Sequence, residues 1–334
     1  MDDDTANEAR HGGSAPGDDR LHLLLERLCD ATERIAAVLE KWDSKVEAPA
    51  KNSRTSSSRP VAQTPQVASA VAPEPIRQFL EARGIRIQTV PQPEPRDEVI
   101  DSLSEFLGSR YSALRETLAL IKQRMQATGS FSQRLEGRPA EEISSICQFC
   151  HRLHELAFLS DYRYRKSPRF LLHATVSSSP VAQRFFSGQW LERYILIAAR
   201  RLIESAFPSA FHCWLLNPQV ILPNGTNFEF DVLVWIEGEL FWIEAKTGEY
   251  QQYVEKYSRV ARLMEPNVHP FMVLTEVAPP VCEHLSSLFR MRVCNLEMFA
   301  EHFARELKRL NGGGSGAVLR DDNPIPSEQE PPRL

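Results

Sequence analysis

No apolar run in this 334-residue chain reaches the roughly 20 residues that a membrane-crossing helix needs, so we expect no contact with a membrane. The chain opens Met-Asp-Asp-Asp rather than with a charged-then-apolar leader, which makes a cytoplasmic protein the expectation. Cysteine is sparse. The six, at 29, 147, 150, 213, 282 and 294, are too scattered for a secreted disulfide scaffold. A basic excess is missing too: the net charge is −5, so a polyanionic partner must meet a local patch rather than the whole surface. Before residue 185 there is neither a glycine-rich phosphate loop nor an alternation of strand and helix patterns, which argues against a nucleotide-sensing Rossmann-like domain.

What is present divides the chain into segments. With 42% hydrophobic residues it can hold one sizeable core and a smaller one. Residues 1–20, rich in Asp, Gly and Ser, read as disordered. In 21–44, Leu21, Leu24, Leu28, Ala31, Ile35, Val38 and Trp42 recur in steps of three and four, a coiled-coil pattern that predicts a homo-oligomer through residues 21–42. Residues 45–95 are rich in Pro, Ser and Ala and read as a linker, interrupted between Pro75 and Val90 by a short helix and strand. A mostly α-helical region, 96–165, follows. Leu103, Leu107, Leu114, Leu118, Ile121 and Met125 mark one long amphipathic helix, and Ile143, Ile146, Cys150, Leu153 and Ala157 a second. On that second helix Cys147, Cys150, His151 and His154 have ligand-like spacing. A single helix rarely wraps four ligands around a tetrahedral ion, so Cys150 reads as a small core residue. Asp161-Tyr-Arg-Tyr-Arg-Lys166 interleaves aromatic and basic residues, suited to a nucleic-acid backbone or to base stacking, but reads first as a solvated loop.

The part of the chain with the clearest chemistry runs from Asn227 to Gly248. Two apolar, β-branched and aromatic runs flank Glu237-Gly238-Glu239, the pattern of a β-hairpin. Glu229, Asp231, Glu244 and Lys246 interrupt those runs. A two-residue loop at Glu237-Gly238 sets Asp231 opposite Glu244, and one at Gly238-Glu239 sets it opposite Lys246. Both registers gather Asp231, Glu244 and Lys246 on one face. Paired carboxylates in an apolar setting repel and are costly to desolvate, and a cation relieves both problems. An all-oxygen ligand set suits Mg²⁺ or Mn²⁺, and a nearby lysine suits phosphodiester hydrolysis.

These residues resemble the PD-(D/E)xK nucleases, which have the restriction-endonuclease-like fold. A longer string, Gly188-Gln189-Trp190-Leu191-Glu192, Asn217-Pro218-Gln219-Val220-Ile221, Glu229-Phe230-Asp231-Val232-Leu233 and Ile243-Glu244-Ala245-Lys246-Thr247-Gly248, looks like the nuclease domain of CRISPR ancillary nucleases that carry a cyclic-oligoadenylate sensor (CARF) domain. The resemblance covers roughly 185–300 and does not extend to the sensor. It implies a nuclease-like domain over 166–310; the order of helix and strand patterns from residue 188 fits an α/β fold with a mixed sheet flanked by helices, and the Gly- and Pro-rich residues 311–334 read as a disordered tail. It also adds Glu192, which without it is simply an acid favoured in the first turn of a helix. The implied ligands of Mg²⁺ or Mn²⁺ are Asp231, Glu244, the Ala245 carbonyl and Glu192, with Lys246 as the catalytic cation.

Beyond the hairpin, a helix expected over Glu249 to Met264 offers Lys256, Tyr257 and Arg259 as nucleic-acid contacts, although a solvated face explains Lys256 equally well. The expectation is a metal-dependent endonuclease acting on DNA in preference to RNA, in a prokaryotic defence or mobile-element setting. The alternative is a non-catalytic nucleic-acid-binding or adaptor protein assembled through its coiled coil.

Overall fold

The computed structural model describes residues 72–125, 129–167 and 169–312, all within the compact unit Pro65–Leu334. The expected disorder at 1–20, the coiled coil at 21–44, the linker up to residue 71 and the tail from 313 lie outside the described residues.

The chain enters through helix α1 (Glu74–Glu81) and strand β1 (Arg86–Thr89), the short helix and strand expected inside the linker. Pro75 near the helix start fits the first turn, where no amide partner is needed, and Ile76, Phe79 and Leu80 are buried. The expected long helix is two: α2 (Asp97–Ser109) and α3 (Tyr111–Met125). They break at Arg110 (φ −126°, ψ 23°). Just upstream, at Gly108, an added Cβ would fall 2.2 Å from the Tyr194 ring. Glycine therefore marks a close approach of the ring to the backbone. Gly108→Ala is expected to destabilise the protein by about 1–3 kcal/mol, and by much less in a Tyr194→Ala background. Thermal melts of both pairs measure that coupling, and equal costs would mean that the ring does not crowd the Gly108 backbone.

The region expected to be helical also contains a sheet. Strand β2 (Ser130–Arg134), helix α4 (Ala140–Glu155), and strands β3 (Leu159–Arg165) and β4 (Leu171–Val176) form an antiparallel unit of order β2-β4-β3 covered by α4. The Asp161–Lys166 stretch, expected as a loop, is therefore most of β3. Its alternation has period two: Tyr162 and Tyr164 pack against the core while Arg163 and Arg165 are exposed. The Tyr162 hydroxyl donates to the Cys147 carbonyl on α4 at 3.2 Å. Cys147, Cys150, His151 and His154 do not converge. Cys150 is buried, His151 faces Glu155 at 3.3 Å and His154 Nδ1 lies 3.0 Å from the Leu159 carbonyl.

After a helical turn (Pro180–Arg184) and a π-type segment (Phe185–Gln189) kinked at Gly188, helix α5 (Trp190–Ala206) packs on α2. Arg193 on α5 holds Asp97 at 2.5 Å and Asp101 at 2.6 Å on α2. Strands β5 (His212–Leu216), β6 (Gln219–Ile221), β7 (Asn227–Glu229), β8 (Val232–Ile236) and β9 (Glu239–Lys246) come next. β5 and β6 are separated at Asn217-Pro218, where Asn217 takes a left-handed φ of 51°. Helix α6 (Val254–Met264), strand β10 (Val268–Leu274), helix α7 (Pro279–Leu288), strand β11 (Arg292–Asn295) and helix α8 (Leu296–Gly312) complete the fold.

The central sheet has order β11-β10-β9-β8-β5, parallel across β11-β10-β9 and antiparallel across β9-β8-β5. It is mixed and covered by helices on both faces, so β9 shows no apolar alternation. Phe241, Ile243 and Ala245 enter the core shared with α2 to α5 and α8, and Leu240 and Trp242 enter a second core with α1 and α6. Strands β1, β6 and β7 form a small separate sheet at its side. Among the described residues no helix is long and apolar enough to cross a membrane.

Candidate active site

The hairpin joining β8 and β9 fixes the site. Glu237 (φ 48°) and Gly238 (φ 88°) both have positive φ, the conformation of a two-residue turn that matches strand twist. Ile236 pairs with Glu239 and Val232 with Ile243, so of the two registers open to the sequence this one sets Asp231 opposite Glu244. Asp231 and Glu244 share parity with Leu233 and Trp242 and therefore face the second core, where Tyr257 of α6 lies.

The polar atoms there bind one another closely. Asp231 Oδ2 accepts from the Ala245 amide at 2.8 Å and from Lys246 Nζ at 2.7 Å. Lys246 Nζ also donates to Glu244 Oε2 at 3.2 Å. Glu244 Oε1 accepts from the Trp242 indole at 2.8 Å and from the Asp231 amide at 3.3 Å. The ammonium thus bridges two carboxylates that are 6% and 0% exposed. Burial, then the Asp231 charge, push the Glu244 carboxyl up to about 8. For Lys246 burial works toward the neutral amine, but the Glu244 and Asp231 charges outweigh it and hold the ammonium protonated well above its ordinary range.

Glu192 approaches from α5, whose apolar residues pack in the core on the other face of the sheet. No hydrogen bond or ion pair joins it to the trio among the described residues. Instead its Oε2 accepts from Asn217 Nδ2 at 2.9 Å, while the Asn217 amide donates to the Asp231 carbonyl at 3.0 Å. Burial and the Asp231 charge raise the Glu192 carboxyl to about 7. Asn217 is thus a bridge between Glu192 and the hairpin that sequence reasoning did not assign; an Asn-Pro turn signal marks its position without naming its role.

The donor set can be weighed against a hard divalent cation. Among the described residues, no three His, Cys, Asp or Glu side chains already form a metal cage. What the site offers is two apposed carboxylates, all-oxygen donors and a lysine standing between them as counter-charge. Mg²⁺ and Mn²⁺ are commonly held by one or two carboxylates with several waters retained, so the residues fit such an ion once Lys246 turns aside.

The expected nucleic-acid contacts on α6 separate. Lys256 is exposed, with Nζ 4.6 Å above the Phe228 ring, and Arg259 is exposed beside Glu255 at 3.3 Å. Tyr257 is only 4% exposed, stacked on Tyr253 and edge-on to Trp242, so it does not present a face to a polynucleotide. Its hydroxyl is pushed up by burial and by the Glu244 charge, which places it among the supports of that carboxylate. Two further supports escaped the sequence reading. The Trp242 indole lies two residues before Glu244 on the same face. Lys122, from α3, donates to Thr247 Oγ1 at 3.0 Å, and Thr247 donates in turn to the Ser187 carbonyl at 3.2 Å. A cleft of about 1510 Å³ reaches Glu192, Asn217 and Glu229 but not Asp231, Glu244 or Lys246. Eight acids line it, Glu74, Glu94, Glu98 and Glu204 among them, against four arginines, so a polyanion is better received elsewhere.

Fold and site together define a mixed α/β protein with a buried, lysine-bridged carboxylate pair at one end of its central sheet. No protein-family model matches the chain, and no curated protein matches it. Among solved structures it is similar to protein VC1899 from Vibrio cholerae, with TM-score 0.49 and 18% sequence identity over 70% of this chain and 61% of that one. It is also similar to Can2 from Sulfobacillus thermosulfidooxidans, solved in complex with cyclic tetra-adenylate, with TM-score 0.47 and 12% identity over 71% of this chain and 61% of that one. The chain thus spans under two thirds of the length of either.

Proposed function

We propose that the chain is a Mg²⁺- or Mn²⁺-dependent nuclease of the PD-(D/E)xK type, with a restriction-endonuclease-like C-terminal domain, hydrolysing phosphodiester bonds in DNA in preference to RNA. The observation that carries this reading is the buried Asp231–Lys246–Glu244 bridge, which an apolar sheet has no structural need for. A buried pair of carboxylates with one cation is at best neutral for stability compared with apolar residues of similar size, so a chemical use is the better account.

In the mechanism Asp231 and Glu244 would hold the ion, with Glu192, held by Asn217, and the Ala245 carbonyl as the further ligands the site could offer. The chemistry such an ion would supply is a more acidic bound water and an offset to charge on the scissile phosphate. Lys246 moves from its carboxylate partners to the phosphate, where its ammonium orients the attacking water and stabilises the charge that builds on the non-bridging oxygens. The Trp242 indole and the Ala245 amide keep Glu244 and Asp231 in place throughout, so the ligands need not reorganise. Lys256 supplies a cation for the neighbouring stretch of backbone. A coiled-coil oligomer through residues 21–42 and a place in prokaryotic defence belong to the same reading.

The test incubates the full chain with plasmid, single-stranded DNA and single-stranded RNA under Mg²⁺, Mn²⁺ or EDTA. Product with metal and none with EDTA is expected, with DNA consumed faster. Equal product in EDTA would overturn the metal-dependent reading.

A further inference from the structure

The β3–β4 hairpin carries chemistry that the site does not use. Cross-strand pairing sorts its outward residues into rows: Asp161, Thr175 and Ser130; then Arg163, His173 and Ser132; then Arg165, Leu171 and Arg134. Lys166 and Arg169, both exposed, follow at the same end. Five cations therefore collect at one end of a sheet, on a chain whose net charge is −5. The carboxylates in these segments are few. Asp161 pairs with Arg163 at 3.3 Å on the far side, and Glu136 lies two residues beyond Arg134. Arg134, Arg165, Lys166 and Arg169 form no ion pair among the described residues. A sheet face usually intersperses such charges with acids, so this end is a concentrated positive field.

We infer that the β3–β4 hairpin, with Arg134 beside it, is a second nucleic-acid-binding surface that grips the phosphodiester backbone without reading base sequence. The surface selects its ligand by its chemistry. Tyr162 and Tyr164 would be the base-stacking groups, but they point inward, and the Tyr162 hydroxyl is engaged by the Cys147 carbonyl. The outward side chains at that end that can grip a polynucleotide are cations rather than aromatic rings. Arg163 and Arg165 stand two residues apart on one strand, about 6.6 Å along it, comparable to the separation of neighbouring phosphates. Arginine forks suit phosphate oxygens, and contacts of this kind position a polynucleotide while carrying no sequence information. The inference rests on the nuclease reading for its choice of occupant. It adds that the unit built from β2, α4, β3 and β4 holds substrate while the central sheet cuts it.

The test measures binding in EDTA, where no hydrolysis occurs, by fluorescence anisotropy of a labelled DNA duplex and of a single-stranded RNA. The full chain is compared with an Arg163→Ala, Arg165→Ala, Lys166→Ala, Arg169→Ala variant. A charge-matched control replaces Arg77, Arg290, Arg305 and Lys308 by Ala. Affinity of the hairpin variant is expected to fall about 100-fold near 0.1 M salt, with the slope of log K against log salt shallower by about three. The control should stay within about threefold of the parent chain, and all three proteins should melt alike. Unchanged affinity in the hairpin variant, an equal loss in the control, or binding of the parent chain to anionic phosphatidylserine vesicles but not to nucleic acid would each overturn the inference. A parent chain that binds through the hairpin yet never cleaves would overturn the nuclease reading and leave this one standing.

Discussion

Asp231→Asn is expected to lower metal-dependent cleavage by about 10³-fold or more, in a protein that melts no lower than the parent at pH 8. The substitution preserves shape, so the amide oxygen can still accept from the Ala245 amide, the 2.8 Å contact that ties β9 to the start of β8. Only the charge is lost, and with it half of the ion's anchor. Stability should hold or rise, because the Asp231 charge is the second largest influence raising Glu244, after burial. Lys246→Ala should match the loss of activity but reverse the effect on stability. It removes the ammonium that contacts both carboxylates at 2.7 and 3.2 Å, leaving Asp231 buried without its counter-charge and pushing the Glu244 carboxyl further up. Breaking a buried pair in this way typically costs about 3–5 kcal/mol. On a unit of this size that lowers the melting temperature by about 10 °C. Cleavage assays and melts on the two variants therefore form a pair, inactive but stable against inactive and fragile. Cleavage within tenfold of the parent in Asp231→Asn would show that the trio is not the site.

The hairpin was legible because its geometry is local. Glu237-Gly238 permits positive φ at both turn positions, and strand parity then brings Asp231, Glu244 and Lys246 together with no information from elsewhere in the chain. The unbroken apolar run of β9 likewise announced a strand covered on both faces. The failures arose where an element depends on a distant partner. Leu107 and Leu114 keep helical spacing across Arg110, so the two helices read as one, and nothing near Gly108 predicts that Tyr194 will lie against its backbone. The β3 strand was missed because its buried face is made of tyrosines, whose amphipathic rings and hydroxyls read as loop residues until α4 supplies the Cys147 carbonyl.

The same division runs through the site. Trp242 shares a face with Glu244, and its indole contact follows from parity alone. The Asn217 bridge joins residues 25 apart, and the Lys122 contact spans 125. Both require the tertiary fold. Tyr257 shows the opposite error: an aromatic beside basic residues suggested a nucleic-acid contact, yet the helical turn that exposes Lys256 and Arg259 aims Tyr257 at Trp242 and Glu244.

Without divalent metal, the melting temperature should fall as pH rises from 5.5 to 8.5, and Mn²⁺ should restore it most at the alkaline end. In the folded chain the Glu192 carboxyl is raised to about 7 and that of Glu244 to about 8, in both cases by burial first and the Asp231 charge second. In the unfolded chain both titrate near about 4.3. Between these limits the native state holds protons that the unfolded state has released, so stability decreases with pH. It is fully present below about 4.5 and is lost as pH rises through about 7 and then about 8. Lys246 stays protonated across this window and contributes no slope. A divalent cation takes the place of those protons. At pH 5.5 it must displace them, and stabilisation should be slight; at pH 8.5 it meets charged ligands, and at 100-fold excess over its dissociation constant should add about 2.7 kcal/mol. Such a gain raises the melting temperature by about 5–10 °C. Calorimetry at pH 6.5 in buffers of different ionisation enthalpy should register proton release on Mn²⁺ binding. Asp231→Asn should flatten the metal-free slope by removing the neighbouring charge and abolish most of the Mn²⁺ response. A melting temperature constant across the range, with the same Mn²⁺ shift at both ends, would mean that these carboxylates are neither poised nor metal ligands.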